Sequence, residues 1–140
     1  DYNITIKKVA CGEQHTIILR SDGKVLVSGS NDDGAMGKVS SHHFLIHPFF
    51  ILRKYKVVDI ACGSRHSLFL TDEGIVWVCG KNNYNQLGFH GKRNLEVPVR
   101  LTEGADSIFA GSDFSLLKMK SGASRACRNL KRKKNKTTLA

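Results

Sequence analysis

No stretch of this 140-residue chain reaches the roughly 18 consecutive apolar residues that a membrane-spanning helix needs. Its most apolar segment, Phe44 to Leu52, is short and is broken by His47 and Pro48. The amino terminus lacks the charged-then-apolar layout of a signal peptide. Without an export signal, Cys11, Cys62, Cys79 and Cys127 are expected to be reduced, buried small residues rather than disulfides. The expected compartment is intracellular, with nucleus and cytoplasm both open. Also missing are a nucleophile elbow, a phosphate-binding glycine loop and a helix-borne metal motif. Covalent enzyme chemistry is therefore not expected, nor is a cofactor, a small-molecule substrate or a membrane partner. Acids and aromatics are absent from residues 123–140, where Arg125, Arg128, Lys131, Arg132, Lys133, Lys134 and Lys136 are concentrated. The rest of the chain holds 15 cations against 12 acids, so most of the formal charge of +10 sits in this tail. Such a cluster cannot bury apolar surface and reads as solvated and mobile.

What is present is repetition. "VACGEQHTIILRSDGKVLVSGSNDDGAMG" lies over "IACGSRHSLFLTDEGIVWVCGKNNYNQLG" at a constant offset of 51 with no gap. Gly12 falls on Gly63, His15 on His66, Gly23 on Gly74, Gly29 on Gly80, Asn31 on Asn82 and Gly37 on Gly88. A weaker third copy, "IFAGSDFSLLKMKSG", follows at an offset of 48, with Gly111 under Gly63 and Gly122 under Gly74. With 41% hydrophobic and 24% charged residues, the chain has the composition of a globular domain.

Each copy reads as short strands. "HSLFL" is an apolar run bounded by turn residues, and "GIVWVCG" is β-branched and aromatic between two glycines. "RSDG" and "TDEG" place glycine where a hairpin needs a residue tolerant of positive φ. "SNDDGAMG" and "KNNYNQLG" are loops, and "HPFFIL" and "VPVRL" supply a further strand with Pro48 and Pro98 on an edge. Four strands and no amphipathic helix in about 50 residues are what one propeller blade requires. The expected fold is all-β, an open arc of two to three blades of antiparallel strands. Residues 1–37 would form a first repeat, 38–88 a second and 89–122 a partial third, with 123–140 as a basic, disordered tail.

The pattern Ala-Cys-Gly-x-x-His-Ser/Thr, Asp/Glu-Gly, Val-Trp-x-x-Gly, Asn-x-x-x-Gln-Leu-Gly closely resembles the repeat of the regulator of chromosome condensation family. The resemblance is complete over residues 57–88, good over 9–37 and partial over 107–122. It implies a seven-bladed propeller, and in the founding type a guanine-nucleotide exchange factor for the Ran GTPase bound to chromatin. Many relatives use the same propeller only as a protein-binding platform, and fold alone does not choose between them. Seven blades need roughly 350 residues. A chain of 140 residues that starts at Asp1, almost on a strand, is thus expected to be a fragment of a larger propeller, a truncated gene model or a degenerate short relative.

Cys11, His15, Cys62 and His66 have ligand chemistry for a Cys2His2 metal site. The third copy puts Ala110 and Phe114 at the same positions, so packing is the expected role and no metal is expected. The structural frame then comprises Gly12, His15, Gly23, Gly29, Gly63, His66, Gly74, Gly80 and Gly88. The variable pairs inside Gly-x-x-His are Glu13 and Gln14, Ser64 and Arg65, Ser112 and Asp113, and a varied loop on a fixed frame suits partner binding. The resemblance implies that these positions face a GTPase, with Glu13 and Asp113 as the matching acids and Arg65 as a departure from an acidic face. The expected function is a non-catalytic protein-binding module. Part of a Ran-type exchange factor is the alternative, and a further one is weak, salt-dependent nucleic-acid contact or nuclear import through Arg128, Lys131, Arg132, Lys133, Lys134 and Lys136.

Overall fold

The structure is a computed structural model that describes residues 3–30, 34–35, 47–49, 52–91 and 93–128. Three antiparallel sheets follow one another along the chain, and no α-helix occurs among the described residues. The first has the order β1 (Ile6–Cys11), β2 (His15–Arg20), β3 (Val25–Gly29), β4 (His47–Pro48). The second repeats it with β5 (Val57–Cys62), β6 (His66–Thr71), β7 (Val76–Gly80) and β8 (Leu95–Thr102). The third has three strands, β9 (Ala105–Ala110), β10 (Ser115–Met119) and β11 (Ser124–Cys127). Both prolines stand on the outermost strands β4 and β8, where a missing amide donor disturbs no central ladder.

Local chemistry sets each hairpin between the second and third strands. Gly23 N–H donates to Arg20 C=O at 3.0 Å and Arg20 N–H to Lys24 C=O at 2.9 Å, while Gly23 holds φ at 84°. That is a type I turn closed by a left-handed glycine, the usual three-residue hairpin. Gly74 and Gly122 repeat it with φ of 80° and 91°.

The sheets pack face to face, which explains why the middle one is so apolar. All six residues of β6 are buried, whereas β2 and β10 bury alternate positions. Phe69 points to the first sheet, in one cluster with Ile17, Leu19, Val27, Val57 and Ile60, and stacks on Phe49 at 5.0 Å. Leu68 and Leu70 point to the third sheet and meet Val76, Val78, Leu87, Ile108 and Leu117. A strand buried on both faces reads as a continuous apolar run, and this is why "HSLFL" shows no alternation.

Three expectations need correction. Ser124–Cys127 pairs with β10, Leu117 opposite Arg125 and Ser115 opposite Cys127, so the basic tail does not start at 123. An outer strand needs only one inward face, and buried Cys127 supplies it. Arg128 is exposed, whereas Lys131, Arg132, Lys133, Lys134 and Lys136 lie outside the described residues, as do Asn31 and Gly37. The expected repeat limits also differ in phase from the sheets, because the strand after the Asn/Gly loop completes the sheet before it. Lastly, only Cys79 and Cys127 are buried; Cys62 is half-buried, and Cys11 is exposed on β1.

Gly63 shows how tightly the sheets meet. A Cβ there would lie 1.9 Å from His66 Cε1 and 2.6 Å from the Gly111 carbonyl oxygen of the third sheet. Gly63→Ala is expected to cost about 2–4 kcal/mol in chemical denaturation, since both a packed ring and backbone must shift. Gly104→Ala, with φ of 75° but nothing within 4 Å, is expected to cost only about 1 kcal/mol. Equal losses at the two positions would remove the steric account of the Gly-x-x-His glycine.

Candidate functional site: the turn rim across three sheets

Each Gly-x-x-His is the tight turn between the first two strands of a sheet. Gly12 N–H donates to His15 C=O at 2.8 Å, Gly63 to His66 at 2.9 Å and Gly111 to Phe114 at 3.0 Å. The variable pair forms the tip of each turn. The three tips are tied in a row, Glu13 N–H donating to Ser64 C=O at 2.8 Å and Ser64 N–H to Ser112 C=O at 3.0 Å. The Ser64 and Ser112 hydroxyls are 2.7 Å apart, and Arg65 Nη2 lies 3.5 Å from Glu13 Oε1. The structure therefore brings all six sequence-predicted positions onto one rim. Glu13, Gln14, Ser112 and Asp113 are exposed there, and Ser64 and Arg65 are half-buried. The ion pair leaves Arg65 39% and Glu13 52% exposed, so it is worth at most about 1 kcal/mol in water.

Directly beneath the rim, the histidines fasten sheet to sheet. His15 Nε2 lies 2.9 Å from Ser67 Oγ of the second sheet, and that hydroxyl donates to Ala35 C=O. His66 Nε2 lies 2.9 Å from Ser115 Oγ of the third sheet, which donates to Gln86 C=O at 2.6 Å. Because each hydroxyl spends its hydrogen on a carbonyl, each ring must donate from Nε2, which leaves Nδ1 bare. His66 Nδ1 is indeed buried with no partner. Ala35 and Gln86 are themselves 51 residues apart, so the whole relay repeats. The loop that carries the Gln86 carbonyl is built by Asn82, whose Nδ2 donates to Phe89 and Gly91 carbonyls and whose Oδ1 accepts from Leu87 N–H.

Burial lowers the pKa of His15 and of His66 to about 4, so both rings are neutral at physiological pH. Burial pushes the Cys62 thiol up to about 12, which keeps it protonated and a poor nucleophile. No group of three or more His, Cys, Asp or Glu side chains able to hold a metal occurs among the described residues. With Nε2 of each histidine committed to serine, the arrangement is built for fastening and for presenting a polar rim.

Comparison with known proteins bears on what such a rim belongs to. Residues 22–70 and 73–117 match the "Regulator of chromosome condensation (RCC1) repeat", and a second description of that repeat matches 6–35 and 57–86. The chain belongs to this family. Human E3 ubiquitin-protein ligase HERC2 is 32% identical over 124 residues, covering 84% of the chain and 3% of the ligase. The Secretion-regulating guanine nucleotide exchange factor of Bos taurus is 33% identical over 122 residues, covering 84% of the chain and 26% of that protein. Among solved structures, human WBSCR16 superposes with a TM-score of 0.78 at 28% identity, over 90% of this chain and 34% of its own. Prp20p from Saccharomyces cerevisiae, described with its binding to Gsp1p and histones, gives 0.75 at 26% identity over 91% and 32%. The RCC1-repeat chain is thus all-β and propeller-type, and it spans about a third or less of the relatives it matches.

Sequence reading missed Ser67 and Ser115, the acceptors of the two histidines. The available signal was the hydroxyl residue after each histidine position, present as Thr16, Ser67 and Ser115.

The lowered histidine values fix a pH dependence. An unfolded histidine binds its proton near pH 6.5, the folded ones near 4, so between these values the unfolded state holds more protons and stability falls as pH falls. Each shift amounts to about 3 kcal/mol, which together approaches the whole stability of an ordinary domain. The denaturant midpoint is expected to be flat above pH 7 and to drop steeply from 6.5 towards 4. His66→Phe, which copies Phe114, should remove about half of that slope; an unchanged slope would disconnect it from these rings.

Proposed function

We propose that this RCC1-repeat chain works as a non-catalytic protein-interaction module, with the rim of Glu13, Gln14, Ser64, Arg65, Ser112 and Asp113 as its contact surface. The observation that carries this is the division of labour at each turn. Backbone amides of Glu13 and Ser64 are bonded from sheet to sheet, while the side-chain pairs, Glu-Gln, Ser-Arg and Ser-Asp, vary from copy to copy on a row held from below by the histidines. Such a row presents fixed positions with changeable chemistry, as a binding surface requires.

A second reading, part of a guanine-nucleotide exchange factor for a Ran-type GTPase, draws support from the exchange-factor relative and from the yeast protein described with Gsp1p. Exchange would need no covalent step, only tighter contact with the nucleotide-free GTPase than with the loaded one. The pairing of Glu13 with Arg65 argues against a simple acidic rim. Contact of the tail with chromatin or nucleic acid is a further possibility that rests on its charge. Nuclear and cytoplasmic locations both suit these readings.

Release of labelled GDP from a Ran-type GTPase separates the two main readings. The module reading expects no acceleration by the chain. It also expects capture of a partner from solution to fall at least about tenfold on Arg65→Ala or Asp113→Ala, without loss of fold. Acceleration that Glu13→Ala and Asp113→Ala abolish would install the exchange reading instead.

A further inference from the structure

We infer that the basic corner formed by Lys24, Arg53, Lys54 and Lys56, where the first sheet passes into the second, is a further docking site and takes a short acidic segment of a partner protein. The corner lies at the opposite end of the strands from the rim, between two described sheets, and is independent of the rim reading. Its origin is a longer connection. Phe49 N–H donates to Val25 C=O at the end of the ladder, and seven residues then separate Phe49 from Val57. In the second sheet Thr102 stands opposite Val76, the counterpart of Val25, and two residues separate it from Ala105. The second seam therefore closes without the added residues, and their side chains are no requirement of the fold.

The longer connection brings cations and an aromatic ring together. Tyr55 N–H donates to Leu52 C=O at 3.0 Å, a tight turn that leaves Arg53 and Lys54 at the surface. Lys24 Nζ, from the hairpin of the first sheet, donates to Arg53 C=O at 2.5 Å and so stands over the same turn. Lys56 is fixed between hairpins: its carbonyl accepts from Asp72 N–H at 2.9 Å, and the next residue, Val57, donates to Gly23 C=O at 3.1 Å. All four cations are exposed, and none makes an ion pair among the described residues. Such a concentration of one sign of charge attracts anions. Tyr55 packs on Trp77 of the second sheet with ring centroids 5.2 Å apart, and both residues are half-buried, so apolar surface adjoins the charges. In the second seam Gly104 and Glu103 take the places of Lys56 and Tyr55, and Glu103 is paired with Arg100.

The limits of the charge select the ligand. Acids border the corner on both hairpins: Asp22, held by Arg20 at 2.6 Å, on the first, and the exposed Asp72 and Glu73 on the second. A nucleic-acid backbone, whose phosphates continue in both directions, would run from the cations onto these carboxylates. A short run of aspartate or glutamate ends before them, and one apolar side chain within it can rest on the open parts of Tyr55 and Trp77. Exposed charges in water make a weak site, so Kd is expected at about 10–100 μM in low salt, rising at least about tenfold as added salt screens them.

Trp77 is the only tryptophan of the chain, so its emission reports on this corner. The full 140-residue chain is titrated with a synthetic peptide of alternating glutamate and leucine; peptide held by the cations of residues 123–140 leaves Trp77 unchanged. A saturable change in emission over that range is expected. Lys54→Glu combined with Lys56→Glu should raise the midpoint at least about tenfold with an unaltered circular dichroism spectrum. Lys54→Gln with Lys56→Gln, expected to raise it at least about threefold, takes over if the charge reversal unfolds the chain. Lys120→Glu, on the hairpin of the third sheet, should move it less than about twofold. A Trp77 signal that stays flat up to about 1 mM peptide overturns the inference, as does a Lys120→Glu variant that loses as much binding as the reversal. Mixed-sequence single-stranded DNA, or phosphatidylserine vesicles, binding this corner more tightly than the peptide would overturn it too.

Discussion

One hydrogen-bonded relay, imidazole to serine hydroxyl to loop carbonyl, sets the terms for the rest of this structure. Its imidazole–hydroxyl and hydroxyl–carbonyl bonds are buried, so breaking either one strands a polar group and costs the seam more than a single bond is worth. The ring lies against a glycine that has no room for a Cβ, the serine follows the next histidine position, and the carbonyl comes from a loop that Asn82 shapes in the second sheet. Histidine, glycine, serine and loop therefore recur together. The repeat is the sequence record of one interface used twice.

On the proposed reading, this geometry separates stability from recognition without separating them in space. The rim side chains of the first two sheets sit one or two residues from the histidines that hold the seams, and the backbone amides of Glu13 and Ser64 take part in the seam. A partner that contacts the rim touches a surface whose positions are fixed by burial beneath it, so little conformational entropy need be lost on binding. Changes of side chain at the tips leave the relay intact, whereas changes of backbone there would not.

Much of this was legible because the period is regular. Glycine spacing gave the turns, the apolar runs of β6 and β7 gave the strands, and the copies at offsets of 51 and 48 gave two sheets and the start of a third. The relay was not legible, since its partners lie 52 and 49 residues apart and end on a backbone carbonyl that carries no sequence signature. Nor was the Glu13–Arg65 pair, because alignment sets Glu13 over Ser64, and only the step between sheets brings the neighbouring position into reach. "SRAC" lacks the β-branched residues that announce a strand, and β11 forms because β10 offers it an edge. Exposure of Cys11 depends on what covers the first sheet, which periodicity alone does not reveal.

Within the middle sheet, β6 has no outside. With every residue of β6 covered, by the first sheet on one side and the third on the other, its folded state is defined by its neighbours as much as by its own ladder. Peeling away either flanking sheet would bare a run of leucine or phenylalanine that water opposes, so the three sheets stand or fall as one cooperative body. Sequence drift is then least permitted in β6, where no position is left uncovered.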